Sequence, residues 1–419
     1  MEKPFAIRRV KGFQIVNSRG NPTLRVQVVT ESGVSGFGDA PEGASKSDKE
    51  AVELRDKDYS VRTAVDIVNS IVNETLRGFD VRNQVAIDET LVKLDGTENK
   101  SRIGGNVTIA TSIAALHAGA KATEQELFRY IGGSRVRHIP VPLLNVINGG
   151  KHAGNELKIQ EFIIIPYGFS RFADAIEAST RVYRTLKSLI AERYGKLYTA
   201  VGDEGGFSPP LRRTRDALDL LMEAIRRSGY TDQEFKLGLD AASSEFYNEN
   251  KGVYEIDGEV MDKGKLLEFY VQLANEYPLG YLEDPFQEND MTSFAEIQRA
   301  IPNVIVTGDD LYSTNPKYLR EGIKINATKG VIVKPNQIGT VTETIEFAEI
   351  AKSHAIKTVV SHRSGETESA FVADLSVGLQ SDFIKTGAPA RGERTAKYNR
   401  LIEIEELYEL RFLGRQAFS

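Results

Sequence analysis

The chain reads as an α/β protein: a (β/α)8 barrel of the TIM type, preceded by a smaller α+β unit. Three observations predict this. From about residue 136 onward, short apolar runs rich in β-branched residues alternate with helix-length stretches, which is the grammar of parallel strands covered by helices. The 419 residues leave room for a barrel and an added unit. Chemically reactive side chains recur at the ends of the strand-like runs, where a barrel builds its site. The change of grammar sets the expected boundaries: an N-terminal α+β unit over 1–135 and the barrel over 136–419.

In the first unit, "AIRRVKGFQIV", "TLRVQVVTES" and "GVSGFGDAP" are strand-like runs broken by Gly, Asn and Pro. "SVRTAVDIVNSIVNETLRG", "VAIDETLVKLDG" and "NVTIATSIAALHAGAKATEQELFRYIGG" are helical patterns, with Gly78, Gly96 and Gly132 at the expected stops. In the barrel, "KLGLDAA", "LGYLEDPF", "VIVTGDDL", "GVIVKPNQ" and "KTVVSHRSGET" are each followed by a helical stretch. Upstream, "PLLNVING", "IQEFIIIP" and "TAVGDEGG" supply the remaining strands, about eight in all.

Composition narrows the function. The net charge of −6 gives no global basic field for nucleic acid or an anionic membrane. No apolar run reaches the roughly 18 residues of a membrane span, and "MEKPFAIRRV" lacks the apolar core of a signal peptide. Cysteine is absent, which excludes a thiolate nucleophile and Cys-based zinc; the five histidines show no helical ligand spacing. A soluble, cytoplasmic chain is the expectation.

The strand ends carry Asp240, then Glu283 with Asp284, then Asp309 with Asp310, then Lys334, then His362-Arg363-Ser364. Carboxylates about 4 Å apart repel by roughly 4 kcal/mol per pair at an effective dielectric near 20. Protonation or a cation must relieve that, and an oxygen-only donor set suits Mg²⁺. Each acid also lies just before a helix, so N-capping is the competing use. Lys334 ends an apolar run and suits a general base near metal ions; a salt bridge to Asp309 is the plainer alternative. Arg363 and Ser364 offer a guanidinium fork and a hydroxyl to a phosphate or carboxylate, and Lys397 adds a point charge unless it is a solvated turn residue. Glu204 in "VGDEGGF" suits a general acid if it keeps its proton, or else a simple turn. His152, Gln160 and Glu161 flank a glycine-rich loop, "INGGKHAGNELKIQEF".

Taken in order, "NSRGNPT", "GAS", "ELRD", "GGKHAGN", "QEF", "GDEGG", "GLDAASSEF", "YLEDPF", "GDDL", "KPNQIGT", "SHRSGET" and "TGAPARGER" resemble the enolase family, the phosphopyruvate hydratases, along almost the whole chain. The resemblance implies a lyase that reversibly dehydrates 2-phosphoglycerate to phosphoenolpyruvate in glycolysis and gluconeogenesis. It implies two Mg²⁺ ions per site, the first on Asp240, Glu283 and Asp309 and the second reached by Ser45. Lys334 would take the α-proton, as a lysine base does in this superfamily, and Glu204 would assist loss of the β-hydroxyl. His152, Gln160, Glu161, His362, Arg363, Ser364 and Lys397 would line the substrate pocket. The implied fold is a modified barrel with a ββαα start, capped by the N-terminal unit. A homo-oligomer, dimer or octamer, and a cell-surface or secreted fraction are also implied by family alone. Two departures stand out: Lys46-Ser47 where many members have Thr-Gly, predicting a stiffer loop, and Pro335 directly after Lys334. Another acid–base enzyme of the superfamily, or a non-enzymatic binding module, remain the alternative readings.

Overall fold

The computed structural model describes residues 3–44 and 47–419, apart from the side chain of His152. Strands β1 (Ile7–Val16), β2 (Pro22–Thr30) and β3 (Ser35–Asp39) form an antiparallel sheet in that order. Helix α1 (Gln84–Asp95) packs on α2 (Gly105–Ala122), and α2 lies on β2 and β3. Residues 105–116 of α2 carry no charge and are all buried, so this helix is core on every side. Gly36 and Gly38 permit the contact. A Cβ at Gly38 would sit 2.1 Å from Ala110 O and 2.5 Å from Ala114 N, so only glycine lets the helix lie directly on the strand. The helical pattern expected over 106–133 is two helices: the chain turns at Glu124, with φ +54°, before a short helix at Leu127–Gly132.

The barrel strands are β4 (Val141–Asn148), β5 (Glu161–Ile165), β6 (Lys236–Asp240), β7 (Leu279–Glu283), β8 (Ile305–Gly308), β9 (Gly330–Val333), β10 (Lys357–Ser361) and β11 (Phe383–Lys385), closed into a ring by β11 pairing with β4. Helices α3 (Phe172–Tyr194) and α4 (Thr214–Arg227) both fall between β5 and β6, giving the ββαα start. After β6, strand and helix alternate through α5 (Lys263–Glu276), α6 (Met291–Ala300), α7 (Pro316–Ile325), α8 (Val341–Ser353), α9 (Phe371–Gly378) and α10 (Gly392–Tyr408).

Two details of the plain eightfold pattern are corrected. β5 runs antiparallel to both β4 and β6, because the link over 149–160 holds one 3₁₀ turn and no crossover helix. "TAVGDEGG" is not a barrel strand: it lies in the connection from α3 to α4, with Val201 making one isolated bridge to Phe207. The eighth strand is Phe383–Lys385.

Candidate active site

The C-terminal ends of the barrel strands surround a cavity lined by acids and amines, among them Asp240, Asp309, Lys334 and Lys385. The reversed strand explains part of its lining. Because β5 runs the other way, its first residue lies at the mouth, and Glu161 is in register with Asp240 at the end of β6. Gln160 precedes it on the same rim.

N-capping does not account for the strand-end acids. α5 to α8 take their caps from Asp262, Asp290, Asn315 and Thr340, each of which accepts a first-turn backbone N–H. Asp240, Glu283 and Asp309 are all buried, and Asp240 and Asp309 line the cavity. Asp240 Oδ2 and Glu283 Oε2 accept from Lys385 Nζ at 3.0 and 2.8 Å, and Glu161 Oε2 lies 3.3 Å from the same amine. Asp309 accepts from Gln337 Nε2 at 3.0 Å and from Lys334 Nζ. The salt-bridge alternative for Lys334 is therefore present as a contact.

The charges respond to burial. Desolvation, then Asp240, pushes the Glu283 carboxyl up to about 8. Desolvation and the neighbouring acids hold Glu161 well above the carboxylate range. Burial pushes Asp309 upward too, but Lys334 and Lys385 outweigh it and its carboxyl lies below the ordinary value. For Lys334, burial favours the neutral amine, yet the Asp309 charge prevails and holds it above the ordinary lysine value. Its backbone is extended, as a residue before proline prefers, and Pro335 opens a single helical turn.

The tightest trio of carboxylates differs from the expected one. Asp284, Asp309 and Asp310 bring one oxygen each within 4.8 Å of one another. Asp284, at φ +41°, accepts the backbone N–H groups of Asp309 and Asp310, both at 2.9 Å, which draws the three together. The donor chemistry fits a hard cation: the set is carboxylate oxygen, and Glu283 Oε1 is buried without a hydrogen-bond partner among the described residues.

On the opposite wall Glu204 is buried, not a solvated turn; its Oε2 accepts from Asn145 Nδ2 of β4 at 2.9 Å. His362, Arg363 and Ser364 follow β10 and line the cavity, and Ser364 Oγ and Gln160 Oε1 are buried without hydrogen-bond partners among the described residues. Arg363 donates to both carboxylate oxygens of Glu50, at 2.9 and 3.2 Å. Lys397 is not in this group. It is buried in α10, donating to Glu366 Oε2 at 3.0 Å and Thr367 O at 2.8 Å, and it does not line the cavity. Lys385, a residue the sequence reading missed, lines the cavity at the end of β11. Ser45 lies outside the described residues, although Gly43 and Ala44 beside it line the cavity. The backbone of His152 lies in the 3₁₀ turn at Gly150–His152. Ser47, unlike a glycine, ties its segment to the barrel: its hydroxyl donates to Glu288 Oε2 at 2.5 Å.

A closed barrel with acids and amines converging at its C-terminal mouth defines an α/β-barrel enzyme of the acid–base class. The family description "Enolase, N-terminal domain" matches residues 7–131, and "Enolase, C-terminal TIM barrel domain" matches residues 136–417. The chain is 58% identical over 418 residues to an enolase of Sulfurisphaera tokodaii, covering 100% of both chains. It is 59% identical over 416 residues to an enolase of Metallosphaera sedula (99% of this chain, 100% of the relative) and 58% identical over 418 residues to one of Sulfolobus acidocaldarius (100% of each). The chain belongs to the enolase family, the phosphopyruvate hydratases, which are lyases.

Proposed function

We propose that this chain catalyses the reversible, magnesium-dependent dehydration of 2-phosphoglycerate to phosphoenolpyruvate, the enolase step of glycolysis and gluconeogenesis. One observation carries the reading. Lys334 at the end of β9 and Glu204, anchored to β4, reach one cavity from strands separated by β10 and β11. A base and a second proton-transfer group can then serve two different carbons of one small substrate.

Asp240, Glu283 and Asp309 would hold the first magnesium, one acid from the end of each of three neighbouring barrel strands. Ser45 would reach the second. When bound, magnesium supplies fixed positive charge beside the substrate carboxylate, which acidifies the α-carbon. Lys334 takes the α-proton. Glu204, fixed by Asn145, assists departure of the β-hydroxyl. Arg363 and Ser364 bind the phosphate, and Gln160, Glu161, His152 and His362 complete the pocket. Lys385 takes the cationic place first given to Lys397. The capping unit would span 1–135 and the barrel 136–419. A cytoplasmic homo-oligomer, dimer or octamer, is the assembly this reading favours; no helix among the described residues is long and apolar enough to cross a membrane.

The test is an absorbance assay of the enol product from 2-phosphoglycerate, with magnesium and with a chelator. Turnover is expected only with the metal. No turnover with magnesium, or equal turnover in chelator, would reject the reading.

A further inference from the structure

Arg394 lies in α10, wholly buried, and belongs to none of the roles above. Its Nη1 donates to His362 Nδ1 at 2.6 Å and to Arg363 O at 2.8 Å. Its Nη2 donates to Asp203 O at 2.9 Å and Ser364 O at 2.6 Å. A guanidinium offers donors only and does not deprotonate in proteins. The His362 nitrogen that faces it must therefore present a lone pair. Neither an imidazolium nor the Nδ1–H tautomer satisfies that contact, so the ring's one proton sits on Nε2. That nitrogen has no hydrogen-bond partner among the described residues and faces Glu204 Oε1 at 3.5 Å.

We propose that Arg394 is a positioning residue that fixes His362 as the neutral Nε2–H tautomer, making it a hydrogen-bond donor, and not a base, on the Glu204 side of the cavity. The same planar group ties together the two loops concerned. It holds the carbonyl of Asp203, next to Glu204, and the carbonyls of Arg363 and Ser364, next to His362. One guanidinium thus sets both the tautomer and the spacing of imidazole and carboxylate. The surrounding charges agree. Burial pushes the ring well below the ordinary histidine range; Glu204 pulls it up, and Arg394, Lys385 and Lys397 oppose that pull. The catalytic use of the donor rests on the proposed role of Glu204, but the tautomer follows from the contact alone.

The experiment is nitrogen-15 NMR of the histidine rings in the full-length protein. The five histidines are few enough to resolve, and His362→Asn identifies the resonance of interest by its loss. At neutral pH the wild-type ring should show a protonated Nε2 and a bare Nδ1; a protonated Nδ1, alone or with Nε2, overturns the proposal. That measurement needs no Arg394 variant to fold. Arg394→Lys keeps a donor and should keep the tautomer. Arg394→Met frees Nδ1 and should yield a tautomer mixture, a histidine titration near neutrality, and a kcat that falls about 10-fold or more with KM little changed. If Arg394→Met keeps the pure Nε2–H form, Arg394 only braces the loops and the proposal is wrong. An inactive wild-type protein with the expected tautomer would instead count against the assigned reaction and leave the assignment of Arg394 standing.

Discussion

In the proposed reaction Lys334 and Glu204 do different work, and single substitutions separate them. Lys334→Ala removes the amine proposed to take the α-proton, so both dehydration and exchange of that proton with deuterated solvent should fall by about 10²–10⁴-fold. Glu204→Gln should lose dehydration to a similar degree yet keep exchange, because the base and the carboxylates remain. NMR detection of deuterium at the α-carbon of 2-phosphoglycerate reads this directly. Rapid exchange in Lys334→Ala would leave Lys334 with only its Asp309 salt bridge. Most of the site was legible residue by residue because barrel chemistry sits at strand ends, and a charged side chain ending an apolar run is conspicuous. Lys385 shows where that reading was incomplete. "DFIKTG" has the same signature as "GVIVKP", a short β run ending in an amine, but its strand is only three residues long and stands out little. Lys397 sits in a segment that looks like a basic turn. It lies in α10, where its ammonium is enclosed by Glu366 and Thr367.

At the scale of elements, the strands under α2 were readable as short runs broken by Gly, Asn and Pro, but the close approach of the helix at Gly36 and Gly38 was not. Gly38→Ala puts a methyl group against the backbone of α2, at Ala110 O and Ala114 N, where neither atom can yield without moving the helix. The expected loss of stability is about 1–3 kcal/mol, the usual cost of overpacking. Gly154→Ala, at a position with open space and no positive φ, should change stability by less than about 0.5 kcal/mol. Urea unfolding of both variants makes the comparison; equal midpoints would mean that the helix does not rest on that strand. The reversed strand β5 was not legible from composition. Glu161–Ile165 is uniformly apolar after its first residue, and a fully buried run looks the same in either direction. Direction is set by the short helix-free link before it, and it matters chemically because it carries Glu161 to the mouth beside Asp240.

The molecule as a whole joins the two units through the site. Glu42 and Gly365 exchange backbone hydrogen bonds, both 2.8 Å, and Glu50 from the first unit holds Arg363 of the barrel. His117 sits at the same junction, on α2, with its ring 6.1 Å from that of Phe371 at the start of α9. Burial, and then Lys121, lowers its titration to about 4, so the ring is neutral in the folded protein at mild pH. An unfolded histidine titrates near 6.5. Between about pH 6.5 and pH 4 the unfolded chain therefore binds one more proton than the folded one at this residue, and stability rises with pH across that window. The term is absent above about pH 6.5, grows as pH falls, and is complete below about pH 4. Its full size is about 3 kcal/mol, an upper limit because part of the His117 surface is accessible. His117→Gln removes the titration while keeping a polar side chain. Urea midpoints of the two proteins should converge on acidification from pH 7 to pH 4, the wild-type protein losing stability more steeply. Parallel pH curves would show that His117 protonates as easily in the folded junction as in the unfolded chain.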